Sequence, residues 1–195
     1  MIEAWASLKS LRPKDEQPTD RTPPDDPGNP NVDFHGERRR NVTHQSTTDL
    51  EAKLAKKGAG KEAKLCYTES VLMENRNGLV MDLRVGPATS RAEREHGLAM
   101  LQELGGARRI TVAGDKGYDT SGFVAGCREL NITPHVAQNE RRPGGSALDP
   151  RTTGWPGYAL SQPTRKSRRF SALIVGGFSD GPATAIEDEV SPSLL

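Results

Sequence analysis

Aromatic residues make up only 5% of the 195-residue sequence, and hydrophobic residues of all kinds only 33%, against 27% charged. So thin a supply of core-forming side chains excludes a chain that is compact along its whole length. An ordered centre with disordered stretches around it is expected instead. Cysteine is scarce too: Cys66 and Cys127 stand far apart and match no metal-ligand spacing. Cys127 falls at helical spacing with Phe123 and Leu130, which is the pattern of a buried free thiol. Two unpatterned cysteines suit a reducing compartment. The start of the sequence lacks the apolar centre of a signal peptide, and no apolar run approaches the roughly 20 residues needed to span a bilayer. A soluble, cytoplasmic protein without membrane contact is expected. A dominant charge sign is missing as well, because the net charge is +1 and gives no global argument for a nucleic-acid partner.

Local charge does give one. Arg38-Arg39-Arg40, Arg141-Arg142 and the stretch Arg165 to Arg169 are basic clusters. Such clusters are more often solvated faces than contacts.

Composition divides the sequence into three parts. Residues 1–60 open with a short apolar segment, Ile2 to Leu11, and continue into a linker from Pro13 to Pro30 with six prolines. No core can form there, because proline fixes φ and removes a donor. His35, His44 and Ser46-Thr47-Thr48-Asp49 follow in a segment that reads as loop. Residues 61–138 form the ordered centre. Ala63 to Met73 is β-prone, Asn77-Gly78 is a hairpin signal, and Leu79, Met81, Leu83 and Val85 alternate along a second strand ended by Pro87. Ser90-Arg91-Ala92-Glu93 reads as a capping box. The helix that it opens is expected to bury Leu98, Leu101 and Leu104 and to stop at Gly105-Gly106. A strand over Arg109–Ala113, a helix over Ser121–Leu130 with Phe123, Val124, Cys127 and Leu130 inward, and a strand over Ile132–Ala137 complete the centre. Antiparallel pairing is expected in the hairpin, and parallel pairing across each helical crossover. The fold class is α/β, a mixed sheet with helices packed on it. Residues 139–195 return to Gly, Pro, Arg and Ser and read as a basic loop and a tail.

Asp115 is the residue best placed for chemistry. It follows the Arg109–Ala113 strand directly, at the strand end where ligands of open α/β sheets gather. Gly114 and Gly117 flank it and would let the backbone approach a phosphate or a metal. A carboxylate there is a hard ligand for Mg²⁺ or Mn²⁺. The plain alternative is a turn aspartate that bonds its own backbone. Asp119, just before a helix, reads as its cap. Lys116 could meet a DNA phosphate or be solvated, and Tyr118 should be half buried against the helix that follows. His35, His44, His96 and His135 form no ligand set, and no Gly-x-Ser-x-Gly, Walker or dinucleotide motif is present.

Several blocks carry a family resemblance. Ile2-Glu3-Ala4-Trp5-Ala6-Ser7, Phe34-His35-Gly36-Glu37, Ser46-Thr47-Thr48-Asp49 and Lys61-Glu62-Ala63-Lys64-Leu65-Cys66 resemble consecutive blocks of bacterial insertion-sequence transposases of the DDE class. So do Leu72-Met73-Glu74-Asn75-Arg76-Asn77-Gly78, Asp115-Lys116-Gly117-Tyr118-Asp119, Pro134-His135-Val136-Ala137-Gln138-Asn139 and Arg151-Thr152-Thr153. They occur in family order, and together they are more specific than any one of them. The resemblance implies a ribonuclease H-like fold and a site that holds two divalent ions, one activating the attacking oxygen and the other stabilising the leaving oxygen. It makes Asp115 the second acidic ligand of that site, and residues 61–138 a partial catalytic core.

The same resemblance places the first acidic ligand on a central strand just upstream of the Ile2–Ser7 block. It places the third, a glutamate, in a helix where the match ends near Arg165-Lys166. Ser167-Arg168-Arg169 can be encoded by codons that hold two glutamate codons one base out of register, so a frameshift near residue 167 is the reading of the tail. Glu3, Asp33, Asp49, Asp82 and Glu187 to Glu189 occupy no family ligand position. The expectation is a transposase fragment with an incomplete ribonuclease H-like fold, catalytically incomplete as this chain. Its expected partners are transposon-end DNA, through Lys116, Arg141, Arg142, Arg165 and Lys166, and intact transposase. The alternative is a non-catalytic DNA-binding or inhibitory partner of an intact transposase.

Overall fold

The computed structural model describes residues 1–14, 39–58, 60–105, 109–167 and 172–176. The proline linker beyond Lys14, Asp33, His35, Arg38, Arg168, Arg169 and Glu187 to Glu189 lie outside the described residues. The chain divides into two compact units, one of residues 1–72 and 80–105, the other of residues 73–79 and 106–195.

The first unit is built on a long strand. In chain order its elements are β1 (Ile2–Glu3), β2 (Leu11–Pro13), β3 (His44–Ser46), β4 (Lys53–Lys56), β5 (Ala63–Glu74), whose last two residues enter the second unit, β6 (Val80–Pro87) and helix α1 (Ala92–Leu104). Cys66 is the Cα partner of both Glu3 in β1 and Lys53 in β4, so these antiparallel strands lie on opposite sides of β5. β6 also pairs with β5, as the hairpin signal predicts. Glu74 shapes the turn between them by accepting from the backbone N–H groups of Arg76 and Asn77, and Gly78 takes φ 70°. β2 and β3 form a separate antiparallel pair, Leu11 facing Ser46 and Pro13 facing His44. The segment from His44 to Asp49, read as loop from its polarity, therefore begins with a strand, β3, and β4 follows it. Side chains hold them. Asn41 exchanges two hydrogen bonds with the backbone of Leu54, and Ser10 and Ser46 meet hydroxyl to hydroxyl at 2.8 Å. A small core of Leu11, Ala52 and Leu65 lies beneath them.

Two expectations for this unit are corrected. Ser90 does not cap α1: Thr89 Oγ1 accepts from Ala92 N at 3.0 Å, while the Ser90 carbonyl accepts from Arg94. α1 buries Met100 and Leu101, with Leu98 and Leu104 only half buried. The reason lies in β6, whose polar positions face the helix. Arg84 pairs with Glu103 at 2.5 Å, and the His96 ring lies so close to Gly86 that a Cβ there would sit 2.7 Å from Nε2. Met81, Leu83 and Val85 are exposed as a result.

The second unit holds β7 (Ile110–Gly114), α2 (Ser121–Glu129), β8 (Ile132–Val136), α3 (Pro150–Thr153), α4 (Pro156–Ser167) and β9 (Ala172–Gly176). Strand β7 runs parallel to β8 through the α2 crossover, as expected, and antiparallel to β9. The sheet is therefore mixed. The expected parallel partner before β7 is not found: among the described residues its neighbours are β8 and β9. Leu173, Ile174 and Val175 of β9 are almost fully buried, because an unbroken apolar run is stable only where both faces are covered. Asn75 N also donates to Val175 O at 2.8 Å. Phe123, Val124 and Cys127 of α2 are buried as predicted, with Leu130 half buried at its end. The stretch read as a basic loop contains two helices, α3 and α4, and the tail contributes a core strand.

Candidate functional site

Asp115 begins where β7 ends. Its backbone is extended and its Oδ1 accepts from Gly117 N at 2.7 Å, so the carboxylate caps the 3-10 turn Lys116–Tyr118. Both flanking glycines have a local cause. A Cβ on Gly117 would stand 2.9 Å from Asp115 Oδ1, and one on Gly114 would stand 2.9 Å from Leu173 Cδ2 and 3.1 Å from the Tyr118 ring. The glycines are thus accounted for by contacts within the protein, while Asp115 itself is exposed. Tyr118 is more deeply placed than expected: it is buried and packs against Phe123 with ring centroids 5.0 Å apart.

Asp119 does not cap α2; Thr120 does, its hydroxyl accepting from Phe123 N. The Asp119 carboxylate is buried and accepts from Asn139 N at 2.7 Å and Ala147 N at 2.8 Å. It organises the loop after β8, and both oxygens are engaged. The other described acids weighed as substitutes also have partners. Glu3 pairs with Lys64 at 3.0 Å, Asp82 with Arg84 at 3.5 Å, and Asp49 accepts the Tyr67 hydroxyl at 2.7 Å. Among the described residues no group of three or more His, Cys, Asp or Glu could hold a metal ion. These residues do not fit the pair of divalent ions that the resemblance implies.

The predicted DNA contacts have mixed fates. Lys116 and Arg141 are exposed. Arg142 is exposed too, yet its Nη1 donates to the Asp119 carbonyl at 2.6 Å and so helps hold the same loop. Arg165 and Lys166 lie on α4, with side chains outside the described ones. In the first unit, Arg39 Nη1 donates to the Leu8 carbonyl at 3.3 Å, a structural use of one member of the first basic cluster.

A second grouping escaped the sequence reading. A cavity of 750 Å³ opens beside β7 and β8, lined by Arg109, Arg128 and Arg151 with Asp149, Thr111, Thr133, His135 and Trp155 among its walls. Arg128 and Arg151 reach the same Asp149 oxygen, at 2.7 and 3.6 Å. The Asp149 carboxyl is held below its ordinary range, chiefly by the hydrogen bond from Thr152 N. Arg109 Nε donates to Thr133 Oγ1 at 3.0 Å. His135 is buried edge-on to Tyr158, and burial pushes its pKa down. The three arginines come from β7's approach, α2 and α3, so no run of basic residues marks them. The two cysteines are buried free thiols, and burial pushes both up, Cys127 to about 12. No described helix is long and apolar enough to cross a membrane. No protein-family model, curated protein or solved structure matches this chain.

Proposed function

We propose that the chain derives from the catalytic region of a DDE transposase and is catalytically incomplete by itself. One observation carries the reading: the single carboxylate at a family position, Asp115, stands directly after a buried strand that pairs in parallel with its successor. The succession of hairpin, helix, strand, helix and strand over residues 61–138 supports it as well. Three carboxylates must converge to hold the two Mg²⁺ or Mn²⁺ ions of that chemistry, and the sequence brings one to a family position. One exposed carboxylate already bonded to its own turn would hold a divalent ion weakly.

The chain is therefore expected to give no specific cleavage or joining of transposon-end DNA with Mg²⁺ or Mn²⁺. Specific cleavage that disappears in Asp115→Ala would overturn this. Reading the gene's alternative frames beyond codon 167 tests the descent: a Glu-Glu pair followed by Phe-Gly should emerge, and neither frame encoding it would sink the frameshift. The exposed Lys116 and Arg141 favour a second reading, a non-catalytic DNA-binding partner of an intact transposase. Salt-dependent DNA binding, or co-purification with the intact enzyme, separates it from an inert remnant.

A further inference from the structure

We propose that the cavity beside β7 and β8 is a binding site for a nucleoside phosphate, presented as a free nucleotide or as a unit of a single-stranded nucleic acid. The proposal rests on this cavity alone and does not need the transposase reading. Its 750 Å³ lies within the range, roughly 300–1,000 Å³, of pockets that take small ligands. Three guanidinium groups face one carboxylate, so the cavity is more positive than the whole chain, whose net charge is +1. Asp149 cannot neutralise both of its arginines. Its Oδ2 is shared between them, while its Oδ1 accepts from Thr152 N at 2.9 Å at the start of α3. Each guanidinium carries five N–H donors in a planar fork, the geometry that matches phosphate oxygens. The contacts described above occupy one nitrogen on each.

The aromatic wall makes the site more than an anion trap. Trp155 is 66% exposed, beside the arginines and at the start of α4. Its indole lies against Gly157, where a Cβ would stand 3.1 Å from Cδ1 and 3.2 Å from Nε1. The helix backbone thus supports the ring from one side while most of the residue stays open to solvent. An indole beside guanidinium groups is what a base and its phosphate need, since stacking is tolerant of sequence and the charge follows the backbone. The Thr111 and Thr133 positions in the same wall add hydroxyl groups that suit a sugar.

A single-reporter experiment tests this. The full chain with Trp5→Phe keeps one tryptophan, Trp155, because the sequence holds only two and Trp5 lies fully exposed in the first unit. Adenosine 5′-monophosphate, a short deoxyadenosine oligonucleotide and inorganic phosphate are each titrated while Trp155 emission is followed. Quenching by the two nucleotide probes, with much weaker binding of phosphate, is the expected result. Tighter binding of the oligonucleotide per site assigns the strand as source; tighter binding of the mononucleotide assigns the free ligand. Equilibrium dialysis of both nucleotide probes then compares variants. Trp155→Ala should weaken binding about tenfold to a hundredfold. Arg151→Met should weaken it with the fold unchanged by circular dichroism, since that side chain is 94% exposed. No quenching by either nucleotide, equal affinity for phosphate alone, or wild-type binding by both variants would overturn the proposal.

Discussion

Two aspartates four residues apart show how little a side chain's identity settles. Asp115 is exposed and bonded to its own turn, whereas Asp119 is buried and joins a distant loop to the end of β7. A local pattern finds the first and misassigns the second, because the partners of Asp119, Asn139 and Ala147, are set by tertiary placement. Asp49 is a third case, and its charge is linked to stability. The hydroxyl of Tyr67 beside it holds the carboxyl below its usual range, helped by the N–H groups of Ala52 and Glu51. The same contact pushes the Tyr67 phenol up to about 12. A lowered carboxyl pKa stabilises the fold above the unfolded value, near 4, and that contribution is lost as pH falls through the folded value. A raised phenol pKa stabilises below its unfolded value, near 10, and is lost as pH rises towards about 12. The first unit should therefore gain from this pair across the interval from about pH 4 to about pH 10. Urea midpoints of wild type and Tyr67→Phe should differ by a steady amount across that interval, and converge only below the lowered carboxyl value and as pH rises towards about 12. A constant difference at all pH values would show that packing, not the hydroxyl, separates them.

At the scale of elements, periodicity located strands better than it oriented them. The alternation along β6 marks a strand, but it cannot say which face meets the helix. Here the polar side does, because Gly86 admits His96 and Arg84 finds Glu103 on α1. β9 was missed for another reason: its short apolar run Ala172-Leu173-Ile174-Val175, bounded by glycine, sits in a tail whose overall composition reads as irregular. The run itself is the signal of a strand buried on both faces. Its packing makes a sharp prediction with Gly114. Leu173→Ala should cost about 2–5 kcal/mol, as buried leucine truncations do. Gly114→Ala should cost about 1–3 kcal/mol by overpacking against Leu173 and Tyr118. The double variant should be less unstable than the two losses added together, because the shortened residue 173 makes room for the new methyl group. Simple additivity in urea denaturation would show that β9 does not lie against Gly114.

Across the whole molecule, charge decides how any polyanion could be held. A net charge of +1 leaves little long-range field to steer a nucleic acid, so binding must come from local groups. The predicted clusters were legible as sequence runs, yet Arg39 and Arg142 already donate to backbone carbonyls. The cavity arginines, at positions 109, 128 and 151, are brought together only by the packing of β7, β8 and the helices around them. If a single strand is held by those three alone, the logarithm of its binding constant should fall against the logarithm of salt concentration with a slope of about −2. Fluorescence titrations of the oligonucleotide at several salt concentrations measure that slope directly. A slope of about −5 or steeper would require several more phosphate contacts than the cavity can make. The arginine runs would then carry the affinity, and the cavity would be at most one stop along a broader basic face.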